Sequence, residues 1–287
     1  GIDPLKWSGV TFVPITDKLY FSPAHADGVL VVDPMTNASD TTAIAGFGVG
    51  GGKWFDVIYV PTTMKLYFSP LDADSVLVVN PLTNVSDTTA IAGLGVGSSK
   101  WWRGVFVPTT GKLYFTPRYA DSVLIVDPMT NASDITAIAR FVGDDKWGGV
   151  VLAPTTGKLY FSPGFIDFML IVDPSTNASD TTSISGFGPT QYKWAGGVFV
   201  PTTDKIYLAP LNADNVLVVD PTTNISDSTA IAGLGGGGYK WNDMVFLHST
   251  GKLYLCPASS ASVLVVDPIL NHSDVNLITG LSNQVGK

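Results

Sequence analysis

Residues 53–99 read KWFDVIYVPTTMKLYFSPLDADSVLVVNPLTNVSDTTAIAGLGVGSS, and nearly the whole chain repeats this order of residues. The opening Lys-Trp returns at Lys6-Trp7, Lys53-Trp54, Lys100-Trp101, Lys146-Trp147, Lys193-Trp194 and Lys240-Trp241, at steps of 47, 47, 46, 47 and 47. Lys287 stands a further 47 residues on, where a seventh unit would begin. The six units are 6–52, 53–99, 100–145, 146–192, 193–239 and 240–287, and only residues 1–5 lie outside them. In residues 53–99 four β-type runs, Val57–Val60, Lys65–Ser69, Ser75–Val79 and Thr88–Ala92, are divided by Pro-, Asp- and Asn-rich turn signals.

Four short strands in a unit of 40 to 50 residues are the pattern of a propeller blade. The expected fold is therefore all-β: a six-bladed β-propeller with four antiparallel strands per blade, forming one domain over 1–287. A stacked solenoid would need polar capping repeats at its ends, and here the first and last units are as apolar as the middle ones. Each blade is expected to be complete within its own segment, with closure resting on packing between blades six and one and with residues 1–5 and 283–287 meeting on one face. Exchange of a terminal strand between the end blades is the alternative.

Segments such as Val105-Phe-Val-Pro-Thr-Thr-Gly-Lys-Leu-Tyr-Phe and Ser122-Val-Leu-Ile-Val-Asp-Pro-Met-Thr-Asn resemble the YVTN and NHL class of propeller repeats. The resemblance covers all six units. It implies the fold, and it implies a type of module common in extracellular and cell-surface proteins. The repeated Lys-Trp and the Ser two places after the turn Asn depart from the YVTN pattern.

Composition removes several functions. The chain has 24 acidic residues, all Asp, against 16 Lys plus Arg, a net charge of −8. Only three residues are Arg, so there is no basic stripe to neutralise a phosphate backbone, and nucleic acid is not an expected partner. The single Cys256 cannot form an internal disulfide or a cysteine metal site. It aligns with small residues of the second strand and is expected to be buried and inert. No run of 18 apolar residues could span a membrane. The chain opens on Gly rather than Met, which is read as a processed or trimmed product whose secretion signal has been removed.

If the strands are lettered A to D from the axis outwards, the D–A connection and the B–C turn share one face, called the top. The A–B and C–D turns share the bottom. The repeated Trp is expected to pack between blades, and the Tyr at 20, 67, 114, 160, 207 and 254 to form a core layer. The top-face Lys are expected to pair with the B–C Asp residues (Asp27, Asp74, Asp121, Asp167 and Asp214).

Three groups of residues are candidates for chemistry. The C–D turns carry Asn37-Ala-Ser, Asn84-Val-Ser, Asn131-Ala-Ser, Asn177-Ala-Ser, Asn224-Ile-Ser and Asn271-His-Ser, each an N-glycosylation acceptor pattern. Asn, Ser and Asp are also ordinary turn residues. Against a purely structural reading, the middle residue varies while Asn and Ser do not. The second group lies just after each Trp, where the repeat is broken. There Phe55, Asp56, Trp102, Arg103, Asn242 and Asp243 could line a ligand site at the channel mouth, with rings to stack on a sugar and charges for directional hydrogen bonds. Thirdly, Asp33, Asp40 and their counterparts resemble acidic cation ligands, but capping of their own turns accounts for them.

His25, His248 and His272 fall in three different kinds of turn, so no shared metal site, no cofactor and no catalytic triad is expected. The expected function is a non-catalytic, secreted or cell-surface glycoprotein, a structural or interaction module and possible filament subunit. Its partners would be N-linked glycans together with further copies or other extracellular proteins. A lectin-like binder is the alternative, and an enzyme acting through Asp56, Arg103 and Asp243 is a second.

Overall fold

The computed structural model describes residues 5–95, 97–188 and 192–281. These contain no helix. They form twenty-four strands in six four-stranded antiparallel sheets, and every sheet consists of four consecutive strands in the order A-B-C-D. Each blade is thus complete within its own segment. The chain falls into two compact units, Gly1–Gly143 and Asp144–Lys287, each with three sheets.

Blade 2 shows the plan. Strands A to D are Trp54–Val60, Lys65–Pro70, Leu77–Asn80 and Val85–Asp87. Leu66, Tyr67 and Phe68 face Val79, Val78 and Leu77 across the ladder, and the same register recurs in the other blades. Leu77, Val78 and Val79 are all buried, as in a strand covered on both faces.

Strand D differs from expectation. The fourth strand is not Thr88–Ala92 but Val85–Asp87, immediately after the turn. The Asp87 carboxylate accepts hydrogen bonds from the amide and hydroxyl of Thr89 and from the amide of Ala90, and this local turn ends the ladder. Ile91 then drops into the core from irregular chain. In blade 6 Val275 and Asn276 stand where blade 2 has two Thr, and strand D runs on over His272–Ile278.

Within each unit the blades are joined by apolar clusters. In the first, Val13, Tyr20 and Val31 of blade 1 meet Val57, Phe68 and Leu77 of blade 2. In the second, Val200, Tyr207 and Val218 of blade 5 meet Met244, Phe246 and Leu264 of blade 6. Trp54, Trp101, Trp194 and Trp241 sit in clusters of this kind, as expected of the repeated Trp. Trp54 donates its indole N–H to the Ser75 carbonyl at 2.8 Å and lies edge-on to Phe47, from the loop of the preceding blade, at 5.3 Å. The Tyr layer spans blades too. The hydroxyls of Tyr20 and Tyr67 donate to the carbonyls of Pro81 and Pro128 in the first unit, and those of Tyr160 and Tyr207 to Pro221 and Pro268 in the second.

Val10 and Phe12 of blade 1 are exposed, as are Val245 and Leu247 of blade 6. Cys256 stands opposite Asp243 at the bulge of blade 6 and is exposed rather than buried. Of the chain ends expected to meet, residues 1–5 and 283–287, all but Leu5 lie outside the described residues.

Candidate functional site

The C–D turns are built alike. In blade 1 the Asp33 carboxylate accepts the amides of Met35 and Thr36, and the Thr36 hydroxyl accepts the amide of Ala38. Asp40 repeats the arrangement for Thr42 and Ala43. These carboxylates therefore serve their own backbone, which holds Asp33, Asp40, Asp87, Asp134 and Asp227 below the ordinary value of 3.8, while Asp173 is lowered chiefly by the Ser175 hydroxyl and then by its amide. Asp180 is lowered to about 2, chiefly by the Ser183 hydroxyl and then the Thr182 amide.

The Asn of all six acceptor patterns has a left-handed backbone, with φ between 50° and 60°. Asn tolerates this conformation better than most residues, so the turn accounts for Asn. The Ser behaves differently. Ser39, Ser86, Ser133, Ser179, Ser226 and Ser273 lie in or beside the edge strand, and among the described residues none of their hydroxyls has a hydrogen-bond partner. The middle residues Ala38, Val85, Ala132, Ala178, Ile225 and His272 are all exposed. Clefts of about 380 and 290 Å³ run beside these turns, with Asn84 lining the first and Asn131 the second.

The positions that break the repeat lie on a β-bulge. In blade 2 Trp54 faces Pro70 and Val57 faces Phe68, so Phe55 and Asp56 together oppose the single Ser69. A bulge of this kind re-aims the side chains it carries. Ser69 spans it, accepting the Asp56 amide at 2.8 Å and donating to the Trp102 carbonyl of blade 3 at 2.5 Å. Phe55 and Trp102 thereby meet edge to face, 4.7 Å between centroids at 87°. The Asp56 carboxylate accepts the Gly104 amide at 3.2 Å, and the Arg103 guanidinium lies 6.0 Å from the Phe55 ring.

The first unit thus gathers Phe55, Asp56, Trp102 and Arg103, and adds two residues that the sequence reading missed. The Arg118 guanidinium lies 3.8 Å over the Trp102 ring and 5.5 Å from Tyr119, within cation–π range. Two of the three Arg in this acidic chain therefore share one aromatic cluster. The signal was available: the B–C turns diverge as strongly as the bulge, with Arg118-Tyr119 where blade 2 has Leu71-Asp72. Asn242 and Asp243 belong to the second unit, on the equivalent bulge of blade 6, where Asp243 accepts the Met244 amide at 2.9 Å.

The top-face Lys hold the loops through carbonyls. Lys100 donates to the carbonyls of Ala73 and Gly97, and Lys240 to those of Ala213 and Gly237. The Asp residues take amides, as where Asp27 accepts Gly46 and Gly48. Both groups tie the D–A loop to the B–C turn, and the charges of Asp72 and Asp74 act on Lys100 and that of Asp214 on Lys240. Burial lowers Lys100 and Lys240, and lowers Lys193, which bonds the Gly188 carbonyl, to about 8.

No protein-family profile matches the chain, and no curated protein matches it. Solved structures do. Virginiamycin B lyase from Staphylococcus aureus superposes with a TM-score of 0.73 at 8% identity, over 94% of this chain and 83% of the lyase. This chain is a six-bladed β-propeller. An auxiliary nutrient binding protein from Bacteroides ovatus matches the propeller with a TM-score of 0.59 at 14% identity, over 86% of this chain and 66% of that one. The extracellular domain of a one-component system from B. thetaiotaomicron matches with 0.64 at 12% identity, over 91% and 33%.

At these identities the likeness shows the fold alone. It nonetheless corrects the expectation that the chain is not an enzyme: the propellers that share its fold include a lyase, so the architecture is one that carries catalysis. Among the described residues no helix is long and apolar enough to cross a membrane.

Proposed function

We propose that this propeller is a secreted or cell-surface glycoprotein that serves as an interaction module, with N-linked glycans on Asn37, Asn84, Asn131, Asn177, Asn224 and Asn271 and with extracellular proteins or further copies as partners. The observation that carries the reading is the placement of the six Asn-x-Ser patterns. Each has an exposed middle residue, and each has a seryl hydroxyl with no bond in the fold among the described residues. Turn chemistry accounts for the Asn and leaves the Ser to the acceptor pattern. The test is an intact mass of natively sourced protein with glycopeptide mapping. A mass several kDa above 30.3 kDa, with sugar on most of the six Asn, is expected. A bare 30.3 kDa chain overturns the reading.

A second reading is favoured by the Arg118–Trp102 stack: ligand binding in the first unit, lectin-like, with an acidic saccharide stacked on the rings and its carboxylate held by Arg103 or Arg118. The nutrient-binding and lyase propellers of like fold support a ligand role, with turnover at the same cluster as its enzymatic form. A glycan array reads it out. Hits on uronic- or sialic-acid glycans that vanish in Trp102→Ala support it; an array without hits counts against it.

A further inference from the structure

Two clefts in the first unit are built to one plan. Lys18, Asp33 and Asp40 of blade 1 and Asn84 of blade 2 line the first, of about 380 Å³. Their counterparts 47 residues on, Lys65, Asn80 and Asp87 of blade 2 and Asn131 of blade 3, line the second, of about 290 Å³. Each cleft therefore lies between the C–D turn of one blade and the Asn-x-Ser turn of the next. Its polar groups are not fully engaged by the fold. Asp33 and Asp40 accept all their hydrogen bonds through Oδ1. Among the described residues, the other oxygen of each and the Lys18 ammonium have no hydrogen-bond partner. The charge of Lys18 acts on both carboxylates, and that of Lys65 on Asp87.

The Asn of the following blade turns its amide oxygen inward. In the second unit Asn224 Oδ1 accepts the Tyr160 hydroxyl of the preceding blade at 3.1 Å, and in the first Asn131 Oδ1 is buried. In both, Nδ2 stands on the other edge of a planar amide and is not buried. That nitrogen is the one an N-glycan uses. Transfer from a glycosyl pyrophosphate donor forms the Nδ2–C1 bond as the C1–O bond to the pyrophosphate breaks, and one Nδ2 proton leaves. The amide oxygen is untouched, so its inward contact survives and the first sugar starts at the cleft wall.

We propose, resting on the glycosylation reading above, that these clefts seat the first sugar of the N-glycan carried by the next blade. The sugar on Asn84 lies against Lys18, Asp33 and Asp40, and that on Asn131 against Lys65, Asn80 and Asp87. The occupant is argued from attachment, because the acceptor Asn is itself part of each cleft wall. A sugar ring carries hydroxyls that both donate and accept, which suits an ammonium beside free carboxylate oxygens. Little intrinsic affinity is needed, because the covalent link holds the sugar at high effective concentration. Each seated sugar bridges two blades, and a contact made only in the folded chain stabilises it.

The experiment has two steps. Glycopeptide mapping of natively sourced protein shows whether Asn84 and Asn131 carry sugar. The full chain secreted from eukaryotic cells, as wild type, Lys18→Met and Ala43→Phe, is then treated without denaturant with the amidase that releases N-glycans and converts the Asn to Asp. Lys18→Met removes a polar contact of the sugar, and Ala43, an exposed residue of the first cleft, fills that cleft when enlarged. Release at Asn84 is expected to be slow in wild type and several-fold faster in both variants, with release at Asn131 unchanged. Lys65→Met should speed release at Asn131 and leave Asn84 alone. A bare Asn84 in natively sourced protein overturns the glycosylation reading at this turn and the seat with it. Sugar on Asn84 that leaves wild type and both variants at one rate overturns the seat and leaves the glycosylation reading standing. Equal acceleration at Asn84 and Asn131 in the blade 1 variants shows loosening of the whole unit and overturns the seat too.

Discussion

The Tyr67 hydroxyl of blade 2 donates to the Pro128 carbonyl in the C–D turn of blade 3 at 3.1 Å, and Tyr67 is wholly buried. One side chain thereby fixes the outer turn of the next blade at a defined height. Burial also raises the Tyr67 phenol above its ordinary 10.0, so it stays protonated and donating at neutral pH. Removing the hydroxyl leaves a buried carbonyl unsatisfied, at a cost of about 1–3 kcal/mol. Tyr67→Phe should lower the urea midpoint measurably. Tyr254→Phe, measured on dilute protein, should leave it nearly unchanged. Equal losses in the two variants would show that the cross-blade bond is not the source.

Trp54 and Trp7 make a second matched pair. Both indoles donate to a carbonyl 21 residues on, at 2.8 and 2.9 Å, but Trp54 is buried between two blades and Trp7 is half-buried. Trp54→Ala should cost about 3–5 kcal/mol and Trp7→Ala well under half of that. Denaturant titration followed by circular dichroism gives both values.

Acid should loosen the outer rim. Asp180 has a folded-state value of about 2 against an ordinary 3.8. A lowered carboxylate contributes stability that is fully present above its unfolded value and is lost as the pH falls through its folded one. That window runs from about pH 4 down to about pH 2. Wild type should therefore lose more of its urea midpoint across this window than Asp180→Asn, which keeps an oxygen acceptor without titrating. The group is largely exposed, so the difference will be small.

Removal of a glycosylation acceptor has a structural side effect that depends on the residue chosen. Asn84 has φ 58°. Ala or Gln in that conformation should cost about 1 kcal/mol, and Gly should be tolerated. Ser86→Ala deletes the acceptor pattern without touching a bonded group and should be neutral in unglycosylated protein. Thermal melts of bacterially expressed Asn84→Gln, Asn84→Gly and Ser86→Ala check this order.

The fold was legible because the information is local. The Lys-Trp spacing counts the blades, and Pro-Thr-Thr and Asp-Pro-x-Thr-Asn mark turns whose neighbours must pair. Strand D was misplaced because β-type residues such as Thr88 and Ile91 look like a strand, until the Asp87 carboxylate competes for the backbone. The bulge at Phe55 and Asp56 depends on pairing register, which no run of residues displays. Arg118 reaches Trp102 only through the fold, and Cys256 is exposed at a place where its small counterparts in other blades are buried. Residues that act through their own turn could be read from sequence, as could the repeated Trp, whose spacing marks one packing position in every blade; single contacts such as Arg118 on Trp102 could not.

The shortness of strand D has a consequence for what the blade edges can pair with. A sheet edge recruits foreign strands in proportion to the length of unpaired backbone it presents. Two or three residues, ended by an Asp-centred turn, present too little to template a partner, so the rims of blades 1 to 5 are closed to such pairing. In blade 6 Asp274 likewise takes the Asn276 amide at 2.7 Å, and the pairing is interrupted there before it resumes at Ile278 opposite Val263, so this longer edge too is broken after three residues.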